Sequence, residues 1–220
     1  MTRAVRPVEV QISGPVGPIE ALLEEPPSAK TDAFVVICHP HPLYHGTMKN
    51  KVVHTVARAA NLMQRPAVRF NFRGVGGSAG HYDNGVGETE DLMAVIDWGR
   101  ENWPGAQLWL AGFSFGSFVA LKAARATGPE RVILVAPPVT RFAVSEQSAP
   151  HCPWVVIHGQ KDELVDCEAV VNWAQRQEPS PALLVLPDTD HFFHGRLRLL
   201  RDAVTEFLEE GTLAGDQLKQ

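Results

Sequence analysis

The sequence predicts an α/β fold: a mostly parallel, twisted sheet of about eight strands, with helices on both faces and an antiparallel hairpin at its start. Two observations predict it. Short, near-continuous apolar runs recur along the chain, and segments with helical periodicity separate them. Strands covered on both faces need unbroken apolar strings rather than alternation. Strand followed by helix, repeated, gives a parallel sheet with right-handed crossovers.

The elements follow in order. VEVQI (8–12) and IEALLEE (19–25) flank the turn signal SGPVGP and read as a hairpin. Buried-type strands follow at AFVVIC (33–38), AVRFNF (67–72), QLWLAGF (107–113), RVILVAP (131–137), PWVVIHG (153–159) and ALLVLP (182–187). Helical patterns lie between and after them at 48–63, 89–102, 117–127, 167–177 and 195–210. In the first, Val52, Val56, Ala59 and Met63 share a face; in the second, Leu92, Val95, Ile96 and Gly99 do. No repeat and no Gly/Ser-rich linker divides the chain. One domain over 1–220 is expected, with 211–220 as a frayed tail.

Composition bounds the function. The chain has 220 residues, 45% hydrophobic and 20% charged, with a net charge of −5. No basic block favours nucleic acid, and no basic amphipathic face favours a membrane. Three cysteines (Cys38, Cys152, Cys167) without a CxxC pair fit a reducing compartment. The N-terminus lacks a secretory apolar stretch, and no run reaches the ~18 apolar residues of a membrane span. A cytoplasmic protein is expected.

The decisive stretch is WLAGFSFGSFVALKAA (109–124). A buried strand enters Gly112-Phe113-Ser114-Phe115-Gly116 and leaves directly as a helix. In this G-x-S-x-G context a sharp turn exposes the Ser114 hydroxyl. Gly112 and Gly116 remove side chains that would collide with neighbouring strand and helix. The helix N-terminus offers free N–H groups to developing negative charge.

A serine nucleophile needs a base and an acid, sought downstream in the order acid, then histidine. Asp162 follows the strand at 153–159, and His191 and His194 follow the strand at 182–187. Both loops open on the sheet edge that carries Ser114. Asp166 reads as the cap of the next helix. Asp188 and Asp190 share the histidine's own loop, so Asp162 is the preferred acid and His191 the preferred base. His158, at a strand end, reads as a satisfied structural histidine.

With these residues in place, the chain resembles the α/β-hydrolase superfamily over nearly its whole length. Within it the chain is similar to small lidless bacterial hydrolases of the dienelactone hydrolase type. HPHPLYHGTMKNK (39–51), FRGVGGSAG (72–80) and GFSFG (112–116) carry the resemblance. Ser114, Asp162 and His191 match the superfamily's triad positions. Dienelactone hydrolases proper use cysteine as nucleophile; serine stands here, so their substrate does not carry over.

The loop HPHPLYH then has a reading. An oxyanion hole takes one amide from the residue after the nucleophile, Phe115, and one from this loop. Pro40 and Pro42 have no N–H. His39, His41, Leu43 and Tyr44 remain, with Leu43 the first choice and His41 the second. The prolines stiffen the loop before charge develops. The rival reading is a zinc site through His39, His41 and His45; no carboxylate or cysteine at ligand spacing joins them, so no metal is expected.

A second decoy is Gly74-Val75-Gly76-Gly77-Ser78-Ala79, formally a dinucleotide fingerprint. Turn chemistry follows it and the next helix starts only near Gly87, so no nucleotide cofactor is expected. Glu88 and Asp91 read as first-turn acids of that helix.

The expected function is a serine hydrolase acting through an acyl-enzyme, a carboxylesterase on small soluble esters. Thioesterase, peptidase and acyltransferase reactions share the triad, and a non-catalytic binding protein shares the fold. The segment between the strands at 131–137 and 153–159 leaves no room for a lid, so the cleft should be open. Tyr44, Phe113 and Phe192 are the pocket candidates among the aromatics near the site, which also include Phe115, Phe118 and Phe193. The expected partner is a small-molecule ester, not nucleic acid or membrane.

Overall fold

A computed structural model describes residues 5–213. The hairpin pattern folds as β1 (Val8–Gly14) and β2 (Gly17–Glu24), paired antiparallel with Ile12 opposite Ile19. The apolar strings form β3 (Ala33–Cys38), β4 (Ala67–Phe70), β5 (Gln107–Phe113), β6 (Arg131–Val135), β7 (Trp154–Gly159) and β8 (Ala182–Leu186). They join one eight-stranded sheet in the order β1-β2-β4-β3-β5-β6-β7-β8. β2 pairs antiparallel with β4; every pairing from β4 to β8 is parallel.

Among the described residues five helices complete the fold: α1 (Lys51–Leu62), α2 (Gly87–Asn102), α3 (Phe115–Thr127), α4 (Cys167–Gln175) and α5 (Leu197–Glu210). All six residues of β3 are buried, because the sheet is covered on both sides. Side chains alternate between the two faces. Phe34, Val36 and Cys38 join a core formed with α2, α3 and α4, whereas Ala33, Val35 and Ile37 join one formed with α1 and α5. Leu92, Val95, Ile96 and Gly99 of α2 are all buried, as their shared face requires.

The segment 136–153 between β6 and β7 holds only one 3₁₀ turn, Val144–Glu146, and no lid. At the C-terminus Gly211 ends α5 in the left-handed region (φ 74°) and Leu213 packs against the core. Residues 214–220 of the expected tail lie outside the described residues. Among the described residues no helix is long and apolar enough to cross a membrane.

Candidate active site

Parallel strands place their C-terminal loops at one sheet edge, and the candidate residues gather there. β5 ends at Phe113, α3 begins at Phe115, and Ser114 makes the bend between them. Ser114 sits at φ 53°, ψ −120°, a conformation that costs about 1–3 kcal/mol in a non-glycine residue. The surroundings hold it there. Its N–H donates to Val135 O at 2.9 Å, and the Ser117 hydroxyl lies 2.8 Å from both Gly112 O and Val135 O. A Cβ on Gly112 would run into the backbone of Gly116, and one on Gly116 into the carbonyls of Cys38 and His39. Only hydrogen at both positions lets α3 lie this close to β3 and β5.

Asp162 follows β7. Its Oδ1 accepts the N–H groups of Leu164 (2.9 Å) and Val165 (2.8 Å). Its Oδ2 accepts from His191 Nδ1 at 2.7 Å, and His191 Nε2 lies 3.1 Å from Ser114 Oγ. The Asp162 side chain is fully buried and His191 nearly so. Burial alone would raise the Asp162 pKa; the hydrogen bond and charge of His191, with the two loop amides, outweigh it and hold the carboxyl below its ordinary value. The Phe113 ring backs the imidazole at 5.2 Å. Lys161 N–H donates to Thr189 O at 2.9 Å, tying the acid's loop to the histidine's loop.

The rival residues are engaged elsewhere. His194 is exposed and pairs with Asp190 at 2.6 Å. Asp188 pairs with Lys161, and Asp166 caps α4 through Ala169 N–H. His158 is buried, with Nε2 3.1 Å from Val165 O and 3.7 Å from Asp162 Oδ2. Its Nδ1 has no partner among the described residues, so this histidine is only half satisfied.

The loop after β3 corrects the sequence reading. Leu43 N–H is taken by His41 Nδ1 at 3.2 Å, inside a 3₁₀ turn over Pro42–Tyr44. Leu43 is 65% exposed and lines a neighbouring cavity with Arg73 and Tyr82, not the one beside Ser114. Leu43 is therefore out of position as an oxyanion donor. The His41 and Phe115 N–H groups have no acceptor among the described residues, and both residues line the Ser114 cleft.

The histidines are not incidental to this loop. His39 is fully buried; its Nε2 accepts Phe72 N–H at 3.0 Å and its Nδ1 faces Pro40 O. It bolts the loop to the end of β4. Burial is the chief cause that lowers the His39 pKa to about 4, so the ring is neutral. Both ring nitrogens of His39 are committed to backbone, and His41 uses Nδ1 on Leu43, so the three histidines do not converge. Among the described residues no group of three or more His, Cys, Asp or Glu could hold a metal.

The glycine-rich loop after β4 spends its polar groups on the protein. Gly77 N–H donates to Glu20 at 2.8 Å, and the Ser78 hydroxyl bonds Asn71 O and Glu20 N–H. Asp91 is a second correction. It is fully buried, and it binds Arg73 through the backbone N–H (2.9 Å), Nε and NH2 rather than capping α2. Glu88 accepts from Asp83 and Gly85 N–H and so braces the loop before α2. Spacing placed both acids in the first turn; only the fold shows what they hold.

The cleft beside Ser114 encloses about 420 Å³. Tyr44, 77% exposed, and half-buried Phe192 line it, as expected. Phe113 does not: it is fully buried beneath His191. Phe115 and Phe142 supply the aromatic wall instead, packed at 5.3 Å. Phe142 lies in an irregular loop with no periodicity to betray it.

Known proteins share this architecture. A solved α/β serine hydrolase homologue from Coxiella burnetii is 42% identical, covers 91% of this chain and 97% of its own, and superposes with a TM-score of 0.88. A solved α/β serine hydrolase without a lid from Xanthomonas campestris is 41% identical over 98% of this chain and 99% of its own, with a TM-score of 0.89. The chain is a lidless α/β hydrolase. This hydrolase is also 32% identical over 210 residues to the uncharacterized protein RP471 of Rickettsia prowazekii, covering 91% of this chain and 88% of that one. The family model for X-Pro dipeptidyl-peptidase (S15 family) matches residues 66–147, the stretch that contains the elbow but neither Asp162 nor His191.

Proposed function

We propose that this hydrolase is a serine carboxylesterase of small soluble esters, with Ser114, His191 and Asp162 as its triad. The observation that carries the proposal is the hydrogen-bonded line from Asp162 to His191 (2.7 Å) to Ser114 (3.1 Å). His191 Nε2 takes the Ser114 proton as Oγ attacks the acyl carbonyl. Asp162 holds the opposite ring nitrogen in the donor tautomer and stabilises the imidazolium. The oxyanion is received by the amides of Phe115 and His41, at the positive end of α3. His191 returns the proton to the departing alcohol, and water then releases the acid by the same steps in reverse.

The open, aromatic-walled cleft of about 420 Å³ suits short and medium acyl groups. The match to the S15 family model makes a peptidase the second reading. A dipeptidyl-peptidase must hold the protonated amine of a peptide N-terminus, which calls for an acid. Among the described residues lining the cleft there is none. Three free cysteines, with Cys38 buried, support a reducing cytoplasmic setting.

A panel of p-nitrophenyl acetate, butyrate and octanoate, matched thioesters and an Xaa-Pro p-nitroanilide tests the proposal. The best ester should exceed the anilide by about 10³ or more in kcat/KM. An anilide turned over within about tenfold of the best ester would transfer the assignment to peptidase.

A further inference from the structure

Arg141 lines the Ser114 cleft, and among the described residues its charge has no partner. Exposed arginines such as Arg58, Arg176 and Arg198 also stand without a partner among the described residues; what sets Arg141 apart from them is its place beside Ser114, and what sets it apart from the buried arginines is its free charge. Arg65 pairs with Asp32, Arg69 with buried Glu24, and Arg73 with Asp91. Among the described residues neither an ion pair nor a hydrogen bond engages the Arg141 guanidinium. The chain as a whole is acidic, with a net charge of −5, yet the cleft is lined by Arg141 and several histidines without one Asp or Glu. An acid-free cleft with a free guanidinium concentrates anions.

The backbone around Arg141 is held in an unusual shape. Its N–H donates to Pro138 O at 2.8 Å, and its carbonyl accepts from Val144 N–H at 3.3 Å. The next two residues, Phe142 (φ 56°) and Ala143 (φ 53°), are both left-handed without being glycine. Such strain persists only where surroundings impose it. Here the Phe142 ring is fixed by stacking on Phe118 at 5.8 Å and packing on Phe115 at 5.3 Å. The result is an aromatic wall with an exposed guanidinium beside it. A ligand fitting both has an apolar body and an anionic end.

We propose that Arg141 selects substrates: the favoured esters carry a carboxylate, which the guanidinium fork receives while Ser114 acts on the ester carbonyl. A planar guanidinium binds a carboxylate through two parallel N–H donors, which an ammonium cannot do. The inference rests on the esterase reading and narrows its substrate class.

The test compares kcat/KM for anionic and neutral esters of matched length. One arm places the carboxylate on the acyl side (p-nitrophenyl hemisuccinate to hemiadipate against butyrate and hexanoate). The other places it on the alcohol side (the butyrate ester of 4-hydroxybenzoate against phenyl butyrate). In at least one arm the wild-type anionic-to-neutral ratio should be about tenfold or more, carried by KM, and should shrink as salt rises from about 20 mM to about 500 mM. Arg141→Gln should lower that ratio by about tenfold, Arg141→Lys by less, and Arg141→Glu should reverse the sign of the preference. Ratios that Arg141→Gln leaves unmoved in both arms overturn the proposal.

A binding measurement keeps this question apart from turnover. Glutarate binding to Ser114→Ala protein, with and without Arg141→Gln, reads the anion site by calorimetry. Glutarate binding that Arg141→Gln abolishes supports the site even if no ester is hydrolysed, in which case only the esterase reading falls. Equal or absent binding in both proteins overturns the site.

Discussion

Asp162 meets His191 with one carboxylate oxygen and spends the other on its own loop. Oδ2 receives His191 Nδ1 at 2.7 Å, while Oδ1 receives the amides of Leu164 and Val165. The acid is thus fixed in rotation by backbone before it fixes the imidazole. Sub-ångström placement of a buried group needs this second set of bonds.

Asp162→Asn separates the two tasks. The asparagine oxygen can keep the loop amides, but its NH2 then faces Nδ1 and favours the wrong imidazole tautomer. We expect kcat for p-nitrophenyl butyrate to fall by about 10⁴ with little change in KM. Steady-state kinetics, with circular dichroism as a fold check, measures this. A loss below about tenfold would remove Asp162 from the mechanism.

His39 should make the fold acid-sensitive. Its pKa is about 4 in the folded chain, against roughly 6.5 when unfolded. The unfolded state therefore binds more protons between these values, and stability falls as pH drops from about 6.5 to about 4. The full loss attributable to this group is on the order of 3 kcal/mol. His39→Gln should be less stable at neutral pH, through lost contacts to Phe72 and Pro40, yet show a flatter slope across that window. Urea midpoints at about pH 7, 5.5 and 4.5 for both proteins give the comparison.

Asp91→Asn tests the buried pair under the glycine-rich loop. Asp91 is fully buried and Arg73 nearly so, and removing the Asp91 charge leaves Arg73 with exposed Glu90 at 3.1 Å as its one ionic partner among the described residues. A loss of about 3–5 kcal/mol is expected from chemical denaturation. A change under about 1 kcal/mol would mean that the loop relaxes to hydrate Arg73.

Gly116→Ala tests the close approach of α3 to β3. The new methyl would meet the carbonyls of Cys38 and His39, which are backbone and cannot swing aside. Destabilisation of about 3 kcal/mol, with loss of ester hydrolysis, is the expected outcome in denaturation and activity assays.

How far the sequence was legible depends on what kind of information each feature needed. Strand and helix positions were readable because burial on one or both faces leaves a period in the letters; β3 and β5 fall on the expected 33–38 and 107–113. Ser114 was marked by flanking glycines, whose absence of side chain is itself a geometric statement. Asp162 and His191 followed from strand ends at a shared edge. Features that depend on where one amide or ring points were not legible. Proline spacing shows which N–H groups are missing in 39–45, but not that the His41 ring takes the Leu43 amide. Phe113 alternates onto the α1/α5 face by strand parity, beneath His191, and so lies outside the cleft. His39 and Asp91 bind residues more than a dozen positions away, Phe72 and Arg73, and no local pattern encodes such a pairing.

The central claim is that His191 and Asp162 make the Ser114 hydroxyl nucleophilic. Treatment with a fluorophosphonate, followed by intact mass and peptide mapping, tests it most directly. One stoichiometric adduct on the peptide carrying Ser114, absent from Ser114→Ala and strongly slowed in His191→Ala, is the predicted result. No adduct across the neutral to mildly alkaline range, or equal labelling of Ser114→Ala, would contradict the account.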